Sequence, residues 1–203
     1  MRINIFDYFK DHTMKRSTLL LSILLASSLY AADQKSATKP ADVKMEGISY
    51  IKKLGSTLKN ELQKHMKADP TAVAAFGFCT AKAMEITEEV NKELPPHASV
   101  RRTALKTRNE SNAPDATDIK VMEAYVKAIE EKQFSPKDIK IGEEGNVTRV
   151  HKPLRTGGGC LKCHGGNGSK ELKEMMTARY PKDQAIGYKE GDLRGVIVAE
   201  IKE

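Results

Sequence analysis

The sequence has no apolar run of the length that an ordinary transmembrane helix needs, which is roughly 20 residues. Its main apolar run covers only residues 18–26. We therefore expect no transmembrane helix in the mature chain. The sequence also has no internal repeat, no phosphate-binding loop and no evident pairing of a nucleophile with a base. Because those features usually accompany catalysis, we do not expect an enzyme.

Cysteine is scarce, since the chain has only Cys79, Cys160 and Cys163. None of them closely follows the apolar run, so a lipid-anchored form is not expected. If Cys160 and Cys163 act together, Cys79 has no disulfide partner. A free thiol is a liability in an oxidising compartment unless it is buried or ligated. We therefore expect Cys79 to be either buried or bound to a metal.

The N-terminus has the features of a secretory signal peptide. Lys15 and Arg16 precede the apolar run, and small residues follow it up to Ala32. This pattern predicts export to the periplasm, with Met14 as the start of translation and residues 1–32 as an extension and signal peptide. An uncleaved membrane anchor is the alternative. Residues 33–42 are polar and predict a flexible mature N-terminus, and residues 43–203 predict one domain.

The chain is basic, with 34 lysines and arginines, 27 acidic residues and a formal net charge of +7. The lysines are spread along the chain and interleaved with glutamates, as on solvated helix faces. This pattern does not favour a nucleic-acid partner. A weak preference for an acidic electron-transfer partner is compatible with the charge.

Apolar periodicity predicts an α+β fold in which helices come first and an antiparallel sheet follows. Apolar residues at three- and four-residue steps predict helices over 43–66 and 71–93, and the second stripe directs Cys79 into the interior. A third helix carries Ile119, Met122, Val126 and Ile129 on one face. The other predicted elements are strands over 98–107, 138–142 and 146–154, the last two around a turn at Gly145-Asn146, and a helix over 169–179. A C-terminal hairpin of 183–188 with 193–201 follows, and its last strand is expected to be central in the sheet because residues 195–199 are almost continuously apolar.

The segment Cys160-Leu161-Lys162-Cys163-His164 reads Cys-x-x-Cys-His, the attachment signature of a c-type haem. Two thiols at this spacing can each form a thioether to one haem vinyl group, and the adjacent imidazole can then bind the iron. The motif therefore predicts one covalent haem c with His164 as an iron ligand. Zinc is the alternative, because Cys79 and His164 can complete a four-ligand site with the two cysteines.

A six-coordinate haem needs a second ligand on the far side of the iron. Cys79 is one candidate, because a thiolate beside ferric iron has its charge compensated locally. His65 is the main rival, because it continues the apolar stripe of the first helix. The remaining candidates are His97, His151, Met122, Met175 and Met176. The pattern alone leaves the choice open.

Three stretches in order along the chain resemble a family of exported bacterial haem-c proteins that was long catalogued as a domain of unknown function. They are the segment from Arg101 to Asp115, the motif from Cys160 to Gly165, and the segment Tyr180–Tyr188 with Gly191–Gly195. The resemblance covers about residues 55–203. It implies a PAS-like antiparallel sheet with the haem inserted before the C-terminal hairpin. It also implies that the iron is held by His164 and by Cys79.

Arginines near the end of the first strand are candidate partners for the haem propionates. Arg101, Arg102 and Arg108 can each form bidentate hydrogen bonds to a carboxylate. Arg108 can equally tie its loop to an acidic neighbour. We expect one of the three to contact a propionate.

Three functions follow from these observations. The first is a periplasmic monohaem c-type cytochrome that exchanges single electrons with a redox partner protein. The second is a haem-based sensor of redox state or of a diatomic gas. Because the chain ends at Glu203 with no output region, such a sensor would signal through a separate, membrane-bound partner. The third is a zinc-binding structural protein.

Overall fold

The structure is a computed structural model that describes residues 40–202. The predicted signal peptide and most of the predicted flexible N-terminus lie outside the described residues. Within residues 40–202, no helix is both long enough and apolar enough to cross a membrane. The first helix begins at Pro40, three residues before the predicted start of the domain. Proline is favoured at this position because its fixed φ suits the first helical residue.

The described residues form six α-helices and four β-strands, with two short 3-10 turns. The helices are α1 (Pro40–Ala68), α2 (Val73–Ala81), α3 (Ala83–Lys92), α4 (Ala116–Glu130), α5 (Leu161–His164) and α6 (Lys170–Arg179). The strands are β1 (Ala98–Thr103), β2 (Lys140–Glu144), β3 (Val147–Arg155) and β4 (Leu193–Lys202). The 3-10 turns are Glu110–Asn112 and Gly158–Cys160.

The four strands form one antiparallel sheet in the order β1-β4-β3-β2. β4 is central, as its continuous apolar run predicted, because it pairs with β1 on one side and with β3 on the other. β2 and β3 form a tight hairpin around Gly145 and Asn146, also as predicted. The helices and this sheet confirm the α+β class.

The helices α1 and α3 cover one face of the sheet together with Phe78 of α2. The stripe on α1 that the sequence predicted packs here, with Ile51 and Leu54 almost fully buried. The cluster comprises Ile51, Leu54, Leu58, Phe78, Ala83, Val90, Val100, Val150, Ile197 and Ala199. Burial of such side chains stabilises the fold by roughly 1.5–3 kcal/mol each.

Helix α4 covers the opposite face of the sheet. It begins with a capping box, in which the side chain of Asp115 accepts from the Asp118 N–H and the side chain of Asp118 accepts from the Asp115 N–H. Asp118 is fully buried and also accepts hydrogen bonds from Arg101 and His151. Burial alone would raise the pKa of Asp118, but these hydrogen bonds outweigh it and leave that pKa lowered.

The predicted helix over 71–93 is in fact two helices, α2 and α3, separated at Lys82. Phe76 of α2 packs with Leu172 and Met176, whereas Phe78 of α2 packs on the sheet together with Ala83 and Val90 of α3. α2 therefore contributes to both clusters, and the buried residues of α3 join the sheet cluster.

Two predicted strands also differ from the structure. β1 ends at Thr103 rather than at residue 107, at the point where its pairing with β4 ends. The segment 183–188 is not a strand, so the predicted C-terminal hairpin is wrong. Its backbone groups bond instead to the loop near Thr107 and to the segment that contains His164. Those partners take the place of a sheet ladder.

The substitution Gly47→Ala tests how closely α1 lies on the sheet. Helix propensity alone predicts a gain of about 1 kcal/mol. However, a Cβ at Gly47 would lie 2.6 Å from Cγ2 and 2.8 Å from Cβ of Val150. We therefore expect Gly47→Ala to lower the free energy of unfolding by about 1–3 kcal/mol in denaturant titrations.

The matched control is Gly77→Ala in α2, where a Cβ would meet no atom within 4 Å. This variant should be neutral or slightly stabilising. Adding Val150→Ala should make Gly47→Ala less harmful than it is in the wild-type background. Stabilisation by Gly47→Ala alone would contradict the packing described here.

Candidate functional site

The Cys-x-x-Cys-His segment folds into a compact helical turn. The 3-10 turn Gly158–Cys160 runs directly into α5, which ends at His164. Residues three apart in such a turn lie on the same face, so Cys160 and Cys163 are neighbours. Both thiols are free and half-exposed. The local fold therefore presents two reactive sulfurs side by side.

His164 is held in one tautomer by the backbone. Its Nδ1 lies 2.8 Å from the carbonyl oxygen of Ala185. Because a carbonyl only accepts, Nδ1 carries the hydrogen and Nε2 keeps its lone pair. Desolvation, followed by the charges of Arg194 and Arg108, lowers the pKa of His164 to about 3. The imidazole is therefore neutral at pH 7 and is oriented as a metal ligand usually is.

The segment 183–188 forms one wall beside His164. The Tyr188 N–H donates to the His164 carbonyl at 2.9 Å, and the Gln184 N–H donates to the Thr107 carbonyl at 2.9 Å. The Tyr188 ring meets the His164 ring edge to face at 6.2 Å. These contacts fix the imidazole from two sides.

Arg108 ties the motif to this wall. Its Nε donates to Asp183 at 2.8 Å, and its Nη2 donates to the Cys163 carbonyl at 2.7 Å. The side chains of Arg108 and Asp183 are only 12% and 10% exposed. Arg108 therefore ties its loop to an acidic neighbour, which was the second of the two roles considered for it in the sequence analysis.

Cys79 lies on α2 close to the motif cysteines. The protein around the Cys79 thiol desolvates it and raises its pKa, although Arg102, Arg108 and Arg194 act in the opposite direction. Cys79 in turn raises the pKa of Cys163, although desolvation contributes more. α2 thus brings the third cysteine to the motif.

The prediction that Cys79 points into the interior is wrong, because its side chain is exposed. The surrounding protein nevertheless desolvates the thiol, so Cys79 lies against neighbouring groups. Phe76 and Phe78 are the residues of α2 near Cys79 that pack into the two apolar clusters. Cys79 itself belongs to neither cluster.

Most of the other candidate ligands are engaged elsewhere. His97 pairs with Glu46 at 2.9 Å, and His151 is fully buried against Asp118 under α4. Met122 is in the α4 cluster, and Met175 and Met176 pack with the cluster of α2 and α6. The His65 ring stacks on the ring of Phe78, with 5.0 Å between the ring centres, and Phe78 directly precedes Cys79 in the sequence. Cys79 and His65 remain as candidates by position.

The three predicted arginines do not share one position. Arg101 contacts Asp118 at 2.7 Å and Glu200 at 3.0 Å, on the α4 side of the sheet. This placement corrects the prediction that Arg101 is a candidate for the site, because neighbouring residues on a strand point to opposite faces. Arg102 points to the other face, where its charge acts on Cys79.

Arg194 belongs to the site but was not among the predicted candidates. Its charge is the largest electrostatic influence on His164, and it also acts on Cys79 and Arg102. The one sequence signal that could have pointed to Arg194 is its position in the segment from Gly191 to Gly195, which carries part of the resemblance.

The four candidate zinc ligands do not converge. Within residues 40–202, no group of three or more His, Cys, Asp or Glu side chains is arranged to hold a metal ion. A zinc site needs about four protein ligands, whereas a porphyrin supplies four of its own and needs only one or two from the protein. The geometry therefore does not favour the zinc alternative.

The sequence profile of the Tll0287-like family matches residues 10–201. The chain belongs to the Tll0287-like family. The fold is also similar to the crystal structure of the cyanobacterial heme-protein Tll0287, with a TM-score of 0.60 and 21% sequence identity. That similarity covers 81% of this chain and 96% of the cyanobacterial chain. A comparison with curated protein sequences gave no significant match.

The substitution Arg108→Gln should loosen the motif segment. It removes the ion pair with Asp183 and weakens the bond to the Cys163 carbonyl, each of which is a charge-assisted contact worth roughly 1.5–3 kcal/mol. We expect faster amide hydrogen exchange across residues 160–188. Arg179→Gln on the exposed side of α6 is the matched control and should leave that exchange unchanged. Equal protection in both variants would show that Arg108 does not hold the motif.

Proposed function

We propose that this chain is an exported c-type cytochrome that binds one haem covalently through Cys160 and Cys163. The observation that carries the proposal is the state of His164, which follows the two thiols directly. Its Nδ1–H is fixed on the Ala185 carbonyl, so the lone pair on Nε2 is free to bind iron. The heme-protein Tll0287, whose fold this chain shares, supports haem as the ligand.

The residues present fit a haem in three further ways. The two motif thiols are accessible, as thioether formation requires. The Cys79 thiol lies close enough to the motif to act on Cys163. The guanidinium Nε of Arg102 is buried without a hydrogen-bond partner, which is expected where an anionic group belongs. Without a bound ligand, the thiols would have no partner and the buried guanidinium would be destabilising.

We propose that His164 and Cys79 would hold the haem iron. Haem, when bound, supplies an iron that takes up and releases one electron. His164 would contribute a neutral imidazole that is already oriented. Cys79 would contribute an anionic thiolate, and the positive charges of Arg102 and Arg194 would stabilise that anion. A thiolate ligand favours the ferric state, so the proposal includes a low reduction potential.

The proposal extends to the setting of the protein. The basic segment, apolar run and small residues of the N-terminus support export to the periplasm, where a c-type haem belongs. The central antiparallel sheet with helices on both faces supports a PAS-like fold. An electron-transfer function without enzymatic activity needs a redox partner protein, for which the basic charge favours an acidic surface.

A haem-based sensor is the second candidate, and the position of Cys79 favours it. Cys79 lies in the last turn of α2, two residues before the helix ends at Ala81. Lys82 then separates α2 from α3. A ligand at a helix end can leave the iron without moving the core, which would let a diatomic gas or a change of redox state displace it. Such a sensor would signal through a separate partner.

The first test is covalent attachment. The protein expressed with its leader in a bacterium that matures c-type cytochromes should retain haem stain on a denaturing gel, and its alkaline pyridine spectrum should report two thioethers. Cys160→Ser and Cys163→Ser together should abolish the stain. Cys79→Ser is the matched control and should keep it, because Cys79 forms no thioether in this proposal. Absence of stain in the wild-type protein would overturn the proposal.

The second test concerns the sixth ligand. Cys79→Ala should change the ferric absorption spectrum and raise the reduction potential, because it removes an anionic ligand. His65→Ala is the matched control and should leave the spectrum unchanged. The opposite pattern would assign the ligand to His65. Carbon monoxide then separates the two functions: slow or absent binding to the ferrous wild-type protein supports electron transfer, and fast, reversible binding supports sensing.

A further inference from the structure

We propose that Arg102 and Arg194 form a paired site that binds the two propionate carboxylates of the haem. This inference rests on the proposed function and deepens it. Arg102 was one of three candidates for such a contact in the sequence, and Arg194 was not a candidate. Two guanidinium groups whose charges both reach Cys79 match two carboxylates on one edge of a porphyrin.

A β-bulge brings Arg194 to this side of the sheet. Along the β3–β4 ladder, Leu154 pairs with Gly195 and Arg155 pairs with Leu193, so Arg194 is an extra residue with no partner on β3. Bulges of this kind re-aim side chains and are common beside functional sites. Without the bulge, Arg194 would follow Val196 and Val198 onto the α4 face.

Gly195 lets β4 approach the end of β1 at the bulge. Its φ of 155° is one that residues with a side chain rarely adopt. A Cβ there would lie within 2.5 Å of the carbonyl oxygen of Thr103 and 3.0 Å from the Cβ of Ala104. Because Arg102 precedes Thr103, this close approach brings the two arginines to the same place.

Neither arginine has a charged partner among residues 40–202. Arg102 forms no ion pair there, and its Nε is buried without a hydrogen-bond acceptor. Arg194 forms a hydrogen bond with the Tyr188 side chain, and its guanidinium carbon lies 5.3 Å from the ring centre, but it contacts no carboxylate. Desolvation lowers the pKa of both arginines, and the charge of Arg194 adds to the effect on Arg102. Two desolvated cations side by side are costly unless an anion joins them.

The other two candidate arginines are already satisfied. Arg101 is paired with three carboxylates on the opposite face, and Arg108 is committed to Asp183 and the Cys163 carbonyl. The unpaired arginines are also those whose charges reach the proposed axial ligands. A carboxylate on the haem therefore has Arg102 and Arg194 as its available partners, and the planar fork of arginine suits it.

The test uses the purified holoprotein and the variants Arg102→Gln and Arg194→Gln. Both should keep covalent haem, because the thioethers are unchanged. In each variant the reduction potential should fall, because a positive charge near the iron is lost. The resonance Raman band of the propionate bending mode should also shift, and this band responds to hydrogen bonds on the propionate rather than to the fold.

The conservative variants and one control make the test specific. Arg102→Lys and Arg194→Lys should restore most of the potential but still shift the propionate band, because lysine keeps the charge and lacks the fork. These variants also serve if a glutamine variant does not fold. Arg101→Gln, one residue away on the same strand, should leave the band unchanged and lower the potential less than either glutamine variant.

Haem-stained Arg102→Gln and Arg194→Gln with an unchanged propionate band and potential would overturn this inference and leave the proposed function intact. Binding of a free anion by the arginines would also overturn the inference. Added phosphate or acetate would then shift the reduction potential of the wild-type protein, and the propionate band would not respond. Absence of covalent haem in the wild-type protein would overturn both proposals.

Discussion

The ion pair between Arg108 and Asp183 is the constraint on which the rest of the site depends. One oxygen of Asp183 takes the guanidinium, and the other accepts the N–H of Ala185 at 2.8 Å. The carbonyl of Ala185 then accepts from Nδ1 of His164. A single buried charge pair therefore fixes the tautomer of the imidazole through two further hydrogen bonds. Exposed pairs such as Lys170 with Glu174 contribute little by comparison.

The sheet separates two electrostatic environments. On the α4 face, Arg101 and Arg149 are matched by buried or half-buried carboxylates, among them Asp118 and Glu200. On the other face, Arg102 and Arg194 have no such match among the described residues. The alternation of β1 and the bulge in β4 direct the two sets of arginines to different sides. The side of the sheet near Cys79 and His164 is therefore positive, and an anionic ligand suits it.

The parts of the fold that depend on periodic apolar burial could be predicted from the sequence. The stripe on α1 follows from side chains that meet one apolar layer. The β2–β3 hairpin follows from the turn at Gly145 and Asn146, and the central position of β4 follows from an apolar run that is buried on both faces. The segment 183–188 misled the prediction because the turn residues Glu190-Gly191-Asp192 separate it from β4, as in a hairpin. Its backbone partners come from a distant loop and from the Cys-x-x-Cys-His segment, and no local pattern reports such partners.

The site shows the same division. The motif from Cys160 to His164 could be recognised from the sequence because its residues are contiguous and match a known spacing. Arg194 was not, because its place in the site depends on a bulge that one unpaired residue creates. Arg101 and Arg102 had equal standing in the sequence, and only the direction of β1 separated them. Local chemistry could thus be predicted, whereas the direction of a side chain required the assembled sheet.

The environment of Cys79 explains why the unpaired arginines matter beyond anion binding. Cys79 lies in the last turn of α2, where the helix dipole places negative partial charge and disfavours a thiolate. Desolvation acts in the same direction and raises the pKa of the thiol. Among residues 40–202, Arg102, Arg108 and Arg194 oppose these two effects, and Arg108 is already neutralised by Asp183. For the thiolate that the proposed function assigns to Cys79, the stabilising positive charge therefore comes from the sheet rather than from the helix that carries the cysteine.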